Sequence, residues 1–596
     1  MDQTGENVMF VVADGQVEAH IQIQYTGDPE RFAWIVPVLA EPSVEVGSDL
    51  LFTELLDSTV PTFTVTTRTE NCGSSGFGGG GGGGGGGGCG GSFESEPLAD
   101  FDAGAGEGDE PDEEQPVVHQ RDLAGSFEYV VLEGGSVDGV VNWLDENGFQ
   151  QDEDAPQILQ QYIDEGFLFV AFKLRSGHGV DQIHPIVLRY AGDEACVPLR
   201  LTRIAARDDM GVRTFFLGRD RVVPTNFRHV QLNPLKLDWT NPGPGYEGLV
   251  TRAVDEDGAD GHAFVTEYAG TSRVVSSPAF RSTSWRSEPF AEATPQTLTD
   301  LLADTGLMTC TITDCFPTHP LVPSLLQSFV PPPPGVDPQM FYTCSSCYAD
   351  WQPSEEPPNP SPTPGTDGGS SGGDTDTDTD TDDAGMESTG SDAGSSGGEE
   401  TEPDSEAWPA TWDTVGLAEA FEAQIIAPSD HAAALVAKYP YLTRMYTTLS
   451  PSEMTRDPLF SEQEMLPDVD PDWSATLFDR CDGPNRVELE NGSVAWFTED
   501  DNPPTFDGMP SARVIEEFFR GAPMTVRDNG EAIDAALASW NAEHAGPDIT
   551  PDDEQPAGGN DDDGGVCACT STSPLRGSGT MTVLLLMGLC FRRRRS

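Results

Sequence analysis

The sequence predicts an α+β protein: a β-rich N-terminal domain with inserted helices, disordered acidic linkers, and a smaller, mainly helical module. Three observations predict it. Period-two alternation recurs between Val8 and Leu217 and is broken by capped helical patterns, which separates an α+β arrangement from a sandwich. The stretches 72–124 and 351–407 are so rich in Gly, Pro, Ser and acids that neither can bury a core. From Trp408 the apolar spacing turns helical. A chain of 596 residues has room for two to four domains at roughly 150 residues each.

The first element is a hairpin. Val8–Ala13 and Gln16–Tyr25 flank Asp14-Gly15, a dipeptide whose two positions tolerate positive φ. Val17, Ala19, Ile21, Ile23 and Tyr25 alternate with Glu18, His20, Gln22 and Gln24, so one face meets a core and the other water. Phe32–Val38 reads as a strand, Ser48 caps a helix through Leu56, and Thr62–Thr67 is strand-like. The glycines 78–88, bracketed by Cys72 and Cys89, are too costly in entropy to order; with no Lys-Ser/Thr behind them they do not form a phosphate loop.

Structure resumes with strand Phe127–Leu132, and Ser136 caps a helix that stops at Gly148. A helix over Ala155–Glu165 leads into the strand Phe167–Leu174. Strands are expected at His184–Tyr190, Val197–Ile204 and Arg213–Leu217. This domain, residues 1–71 and 125–350, is interrupted by the insertion 72–124. The linker 351–407, with its Asp-Thr repeat Asp374–Asp382, precedes the helical module 408–545. There, helices are expected over Val415–Ile426 and His431–Lys438, after the capping box Ser450-Pro-Ser-Glu453, and over Arg513–Arg520 and Asn529–Glu543.

Charge excludes whole classes of partner. Asp and Glu number 101 against 31 Lys and Arg, a formal net charge of −70. Nucleic acid needs a concentrated cationic face, so none is expected as a partner. Glu94–Glu114, Trp351–Ala407 and Gly546–Gly565 hold 33 acids and no bases, which leaves 68 acids against 31 bases elsewhere. The acidity therefore belongs to the folded parts too, and keeps a protein soluble in salt.

The C-terminus reads as an address. An acidic linker and cysteine motif, 546–576, carries Cys567 and Cys569 and leads to the segment 577–596. That segment has an apolar stretch, Met581–Phe591, closed by Arg592, Arg593, Arg594 and Arg595. At 15 residues, Gly577–Phe591 is short of the ~20 of a stable span, and arginines held in the cytoplasm fit a stop-transfer or sorting signal. This tail resembles the MYXO-CTERM sorting signals of myxobacterial surface proteins. The resemblance implies cleavage near Cys567 or Cys569 by a processing protease and retention at the cell surface or outer membrane. Since Met1-Asp-Gln-Thr-Gly has neither a basic start nor an apolar run, the expectation is a late start, with a signal peptide encoded upstream.

Residues from about 7 to 350 resemble the domain of unknown function 2330 family of exported bacterial proteins. The resemblance rests on Tyr25-Thr-Gly-Asp-Pro, Phe32-Ala-Trp-Ile-Val-Pro-Val, Asp49–Leu55 followed by Val60-Pro-Thr, Tyr129-Val-Val, Trp143-Leu-Asp-Glu-Asn-Gly-Phe, Phe167–Lys173 and His184-Pro-Ile. It implies export and a fold but carries no catalytic residues.

In an exported chain the cysteines read first as disulfides. Cys72 with Cys89, and the cluster Cys310, Cys315, Cys344 and Cys347, are the candidates; the spacing of the cluster also permits zinc held by thiolates. Cys196 and Cys481 stay open. No Gly-x-Ser-x-Gly elbow or His-Glu-x-x-His helix occurs. His178 and His184 form the closest histidine pair, and Arg273 and Arg281 look like solvated charges. Asp374–Asp382 suits weak, nonspecific divalent binding, while Asp255-Glu-Asp-Gly-Ala-Asp misses calcium-loop spacing because Glu267 falls one position late. The reading is a non-catalytic, surface-anchored protein with an unknown surface ligand and no resident cofactor. The alternatives are a metal-dependent extracellular hydrolase and a calcium-dependent adhesin.

Overall fold

The computed structural model describes residues 2–26, 33–70, 115–149, 155–175, 179, 182–311, 313–352, 408–481, 483–518 and 522–546. The glycine run, the Asp-Thr linker and the C-terminal tail lie outside them. The architecture is mixed α+β and has a ten-stranded sheet as its spine. Its strands run in the order Met524–Asp528, Ala512–Glu517, Arg228–Leu232, Ala263–Thr271, Tyr441–Leu449, Ala206–Gly218, Asp2–Ala13, Gln16–Thr26, Ile186–Ala191, Ser43–Val46.

The opening hairpin forms as the dipeptide dictates. Asp14 and Gly15 take φ of 56° and 75°, the pair of positive values a two-residue turn matched to strand twist requires. Ala13 then pairs with Gln16, Val12 with Val17 and Phe10 with Ala19. Val8, Phe10, Val17, Ala19 and Ile21 enter a core shared with a four-stranded sheet of Ala33–Val38, Leu168–Leu174, Phe127–Glu133 and Val117–Ala124. The opposite face is covered as well. Met9 and Val11 pack beneath helices Asp49–Thr59 and Ala427–Lys438, and His20, expected in water, is buried. The outer face of the four-stranded sheet buries Phe169 and Ala171 under helices Val137–Glu146 and Ala155–Asp164. The stack is helix, sheet, sheet, helix. Two of its helices are capped as expected: the Ser48 hydroxyl accepts from Leu51 N–H, and Ser136 from Gly139 N–H.

The segment 408–545 is not a mainly helical module. Its helices Thr414–Phe421, Ala427–Lys438 and Gly530–His544 are present, but it also contributes seven strands. Tyr441–Leu449 lies in the middle of the spine, antiparallel to both Ala206–Gly218 and Ala263–Thr271. Asp472–Asp479 runs parallel to Thr62–Thr69 in a further sheet. Arg513–Arg520 has apolar residues at helical spacing, yet Ala512–Glu517 is a strand because Arg228–Leu232 and Met524–Asp528 supply hydrogen-bonding partners on both sides; tertiary pairing overrides spacing. Ser450-Pro451-Ser452-Glu453 keeps half of a capping box, with Glu453 accepting from Ser450 N–H at 2.7 Å, but no helix follows.

Two other expectations change. Val197–Ile204 alternates like a strand but forms the short helix Leu199–Thr202 behind Pro198; buried Asp457 accepts the Arg200 backbone N–H and Nε–H, both at 2.9 Å, and so takes the place of a strand partner. Val117–Ala124, assigned to the insertion, is a strand paired with Phe127–Glu133.

Candidate functional site

The one parallel pair of the spine at its Met524–Asp528 end opens a cleft. Arg228–Leu232 and Ala263–Thr271, joined through helix Tyr246–Val254, share two rungs, Arg228–Ala263 and His229–Phe264. Beyond these the two strands part, the first held on its other edge by Ala512–Glu517 from His229 onward and the second by Tyr441–Leu449. A cavity of about 300 Å³ lies in this fork, beyond the carboxyl ends of the parallel pair, where diverging strands leave space that no side chain of the sheet fills. A bulge at Glu267 shapes it: Thr266 pairs with Met445, and Tyr268 with Arg444. Val265, Thr266 and Glu267 all line the cleft at this irregular point of the strand.

The wall is apolar, with Leu232, Val265, Val469 and Trp473, and Trp473 meets Tyr246 edge to face. Polar groups enter as a chain. Arg221 Nη2 donates to Thr266 Oγ1 at 3.1 Å, and that hydroxyl lies 3.0 Å from His229 Nε2. His229 Nδ1 lies 3.3 Å from Glu516. The order consistent with these distances is Arg221 to Thr266 to His229 to Glu516, with the imidazole neutral and its proton on Nδ1. Burial pulls the His229 pKa down, in keeping with this tautomer, and the hydrogen bond from His229 holds Glu516 below the usual carboxylate range. Glu267 is tied to Arg444 at 2.6 Å.

A second cluster has metal-like composition. Glu18 and His20 share a strand face, and His431 reaches them from helix Ala427–Lys438; one ligand atom of each lies within 4.8 Å of the others. His20 Nε2 donates to Glu18 Oε1 at 2.7 Å, and His431 Nε2 meets the same oxygen. Two features oppose a metal. The Arg189 guanidinium stands 3.0 Å from Glu18 and 2.9 Å from His431 Nε2, adding positive charge where a metal would have to sit. His20 Nδ1 is buried with no partner, where a ligating imidazole requires an acceptor. The cluster is an ion-pair lock that holds the helix on the sheet. Burial opposes the charge on Glu18, but hydrogen bonds from His20, His431 and Arg189 outweigh it and hold its pKa well down. Burial keeps His20 neutral.

The sequence candidates are distributed as follows. Cys310 pairs with Cys315 and Cys344 with Cys347, so these four thiols form disulfides and are not zinc ligands. Cys481 is disulfide-bonded. Cys196 is the free thiol among the described residues, and burial pushes its pKa up, which makes it unreactive. His184 is structural: Nε2 accepts from Ser126 N–H at 3.1 Å and Nδ1 donates to Pro185 O at 2.9 Å. Gly125, at φ +59°, leaves room for that ring where a Cβ would stand 2.2 Å from Nε2. Arg281 pairs with Asp430. Glu267, bound to Arg444, does not serve the turn at Asp255. Cys72, Cys89, His178, Asp374–Asp382, Cys567, Cys569 and Arg592–Arg595 lie outside the described residues.

A family model matches residues 3–302. The chain belongs to that family, the uncharacterized proteins conserved in bacteria of domain of unknown function 2330. No curated protein and no solved structure matches the chain. In this member of the domain of unknown function 2330 family, the match holds Arg221, His229 and Thr266, whereas Val469, Trp473 and Glu516 come from beyond it. Sequence reasoning missed the cleft because Arg221 stands in Arg219-Asp220-Arg221, which looks like solvated charge, and a strand fork leaves no local pattern.

Proposed function

We propose that the protein is an exported component of the bacterial cell envelope that binds a small ligand in the Arg221–Trp473 cleft without transforming it. The observation that carries this reading is the fork itself: an apolar cleft with a few convergent polar groups is the usual form of a ligand site. Export is supported by the disulfides Cys310–Cys315 and Cys344–Cys347, since such bonds persist in oxidising compartments. It is also supported by the C-terminal order of Cys567/Cys569, apolar stretch and Arg592–Arg595, whose resemblance to MYXO-CTERM signals implies processing near the cysteines and anchoring at the surface. No described helix is long and apolar enough to cross a membrane, so membrane attachment in this reading rests on the tail.

One observation favours a hydrolase as the second reading. Thr266, His229 and Glu516 stand in the order nucleophile, base and orienting acid. Against it, an Arg221 N–H occupies a lone pair of the Thr266 oxygen, and Thr266 is β-branched and within a strand, not on an exposed turn. The test is fractionation of the native cells, followed by native mass spectrometry of the purified protein and its C-terminal mass. The expected result is a surface protein that ends near Cys567/Cys569 and carries a small molecule unchanged. An intact Arg592–Arg595 tail on cytosolic protein would undo export. Turnover of p-nitrophenyl esters lost in Thr266→Ala would replace the binder with the hydrolase.

A further inference from the structure

A disulfide stabilises chiefly by restraining the unfolded chain, and the gain grows with the loop it closes. Cys310–Cys315 and Cys344–Cys347 span five and three positions, the small end of that scale, and each staples a turn that hydrogen bonds already close. In the first, Thr311 N–H donates to Asp314 O at 2.7 Å and Asp314 N–H to Thr311 Oγ1 at 3.0 Å. In the second, Cys347 N–H donates to Cys344 O at 3.1 Å. Ser345, buried between the two cysteines, is pinned to helix Leu298–Asp304: its N–H donates to Thr299 Oγ1 at 2.8 Å, and its Oγ accepts from Thr299 N–H at 3.1 Å. These turns hold the sulfurs in place whether the bridges are open or closed.

Each bridge joins an accessible sulfur residue to a more sheltered one. Cys347 and Cys310 are exposed, whereas Cys344 is half-buried and Cys315 buried. Exposed disulfides are the ones that exchange with outside thiols. The Ser346 hydroxyl lies 3.7 Å from Cys344 Sγ, placed to donate to a thiolate that leaves there. The two bridges are also neighbours. Cys315 Sγ lies 3.9 Å from the carbonyl oxygen of Thr343, the residue before Cys344, and Cys315 N–H donates to Thr343 Oγ1 at 3.4 Å. Two large apolar side chains flank them: Met340, one turn before Cys344 on helix Pro338–Thr343, is 63% exposed, and Phe316, beside Cys315, is 55% exposed. Gln339 Nε2 donates to Cys315 O at 2.6 Å and ties that helix to the strand Cys315–Pro317. On a chain of net charge −70, such apolar side chains suit the apolar segments of an unfolded polypeptide.

We propose that Cys344–Cys347 is a thiol–disulfide exchange site that oxidises the dithiol of an unfolded polypeptide docked on Phe316 and Met340, with Cys310–Cys315 as the bridge that refills it. The site shares no residue with the cleft, and the proposal does not depend on the cleft. A substrate thiolate attacks Cys347 Sγ; the Cys344–Cys347 bond breaks and its electron pair leaves on Cys344 Sγ. The second substrate thiolate attacks the substrate sulfur of the mixed disulfide and releases Cys347 as thiolate. The substrate ends as a disulfide, two electrons poorer, and its two protons pass through water to the new Cys344 and Cys347 thiols. Cys344 thiolate then attacks Cys315 Sγ, Cys310 leaves as thiolate, and Cys347 attacks Cys344 to expel Cys315. The first bridge is remade and Cys310 and Cys315 are left reduced. The two bridges therefore carry two oxidising equivalents and need no reactant beyond the substrate dithiol.

The test mixes the oxidised full chain with a reduced, unstructured peptide that carries two cysteines among leucines, quenches in acid, and maps new thiols by alkylation and mass spectrometry. The peptide is expected to be oxidised at least tenfold faster than by oxidised glutathione at the same disulfide concentration. At limiting peptide, new thiols are expected to appear first at Cys344 and Cys347 and then at Cys310 and Cys315. Cys344→Ser with Cys347→Ser should remove the fast oxidation. Phe316→Ser with Met340→Ser should slow the peptide about tenfold and leave the reaction with dithiothreitol unchanged, which a merely structural pair of bridges would not show. If the serine variant at the bridge fails to fold by near-ultraviolet dichroism, thiol mapping on the unaltered protein still decides. All four cysteines staying bridged while the peptide stays reduced would overturn the proposal. New thiols appearing first at Cys310 and Cys315 would overturn the order of the bridges, and an unchanged peptide rate in the Phe316 and Met340 variant would overturn the docking surface.

Discussion

Ending the chain at residue 407 should abolish folding of the whole N-terminal part. The cut removes Tyr441–Leu449 from between Ala206–Gly218 and Ala263–Thr271, leaving two long strand edges unpaired in the middle of the spine. Leu442, Met445, Tyr446 and Leu449 are all buried; at about 2 kcal/mol each their loss forfeits about 8 kcal/mol. Glu267 also loses Arg444 and stays buried without a counter-charge, a further cost of about 3–5 kcal/mol. The total, about 11–13 kcal/mol, lies in the upper part of the roughly 5–15 kcal/mol that holds a typical protein folded. The assay is calorimetry with near-ultraviolet dichroism on residues 1–407, alone and co-expressed with 408–596. The expectation is no cooperative transition alone and a folded complex when the second piece is supplied. A cooperative, monomeric 1–407 would refute the reasoning and restore two independent units.

Three further outcomes are expected. Burial raises the Glu6 carboxyl from 4.5 to about 7, against hydrogen bonds from Thr202 and Gln3; the folded chain therefore binds more protons than the unfolded one between those values, and stability falls as pH rises through that window. Glu6→Gln should remove this slope, so that its stability relative to wild type improves by about 3 kcal/mol between pH 4 and pH 8, read from urea melts; parallel curves would sink the assignment. Asp49, raised from 3.8 to about 7 by burial, should leave a residual slope of the same sign. Arg444→Met or Glu267→Gln alone should each cost about 3–5 kcal/mol, while the double variant recovers most of that; additive losses in a double-mutant cycle would contradict the pairing. Replacing Cys310 and Cys315, or Cys344 and Cys347, by serine pairs should each cost about 2 kcal/mol for the small loop that is opened, measured as a drop in Tm, and an unchanged Tm would argue against their being formed.

The parts of the fold that were legible in the sequence are those whose cause is local. Asp14-Gly15 turns the chain whatever lies around it, and Ser48 and Ser136 satisfy helix N–H groups within three residues of themselves. The alternation of Val17, Ala19 and Ile21 marks a core-facing strand wherever the core is. The short spacings of the four cysteines made them candidate pairs but left zinc open, and the structure pairs them as Cys310–Cys315 and Cys344–Cys347.

Other features have non-local causes. Tyr441–Leu449 is buried along nearly its whole length, so it shows no alternation, and Arg444 at its centre looks like a surface charge until Glu267 is seen opposite. His20 looked solvated because helix Ala427–Lys438, more than four hundred residues away, covers it. The cleft belongs to no segment at all. It exists because two parallel strands part after two rungs, each held on its other edge by a different strand, and because a bulge at Glu267 interrupts the pairing beside it. Sequence by itself determined the turns, the caps, the acidity and the α+β class, since each depends on residues within hydrogen-bonding or packing reach along the chain. Tertiary structure alone decided that the two halves share one sheet and that buried Arg444 meets Glu267, because strand pairing and charge burial are settled between residues the chain holds far apart.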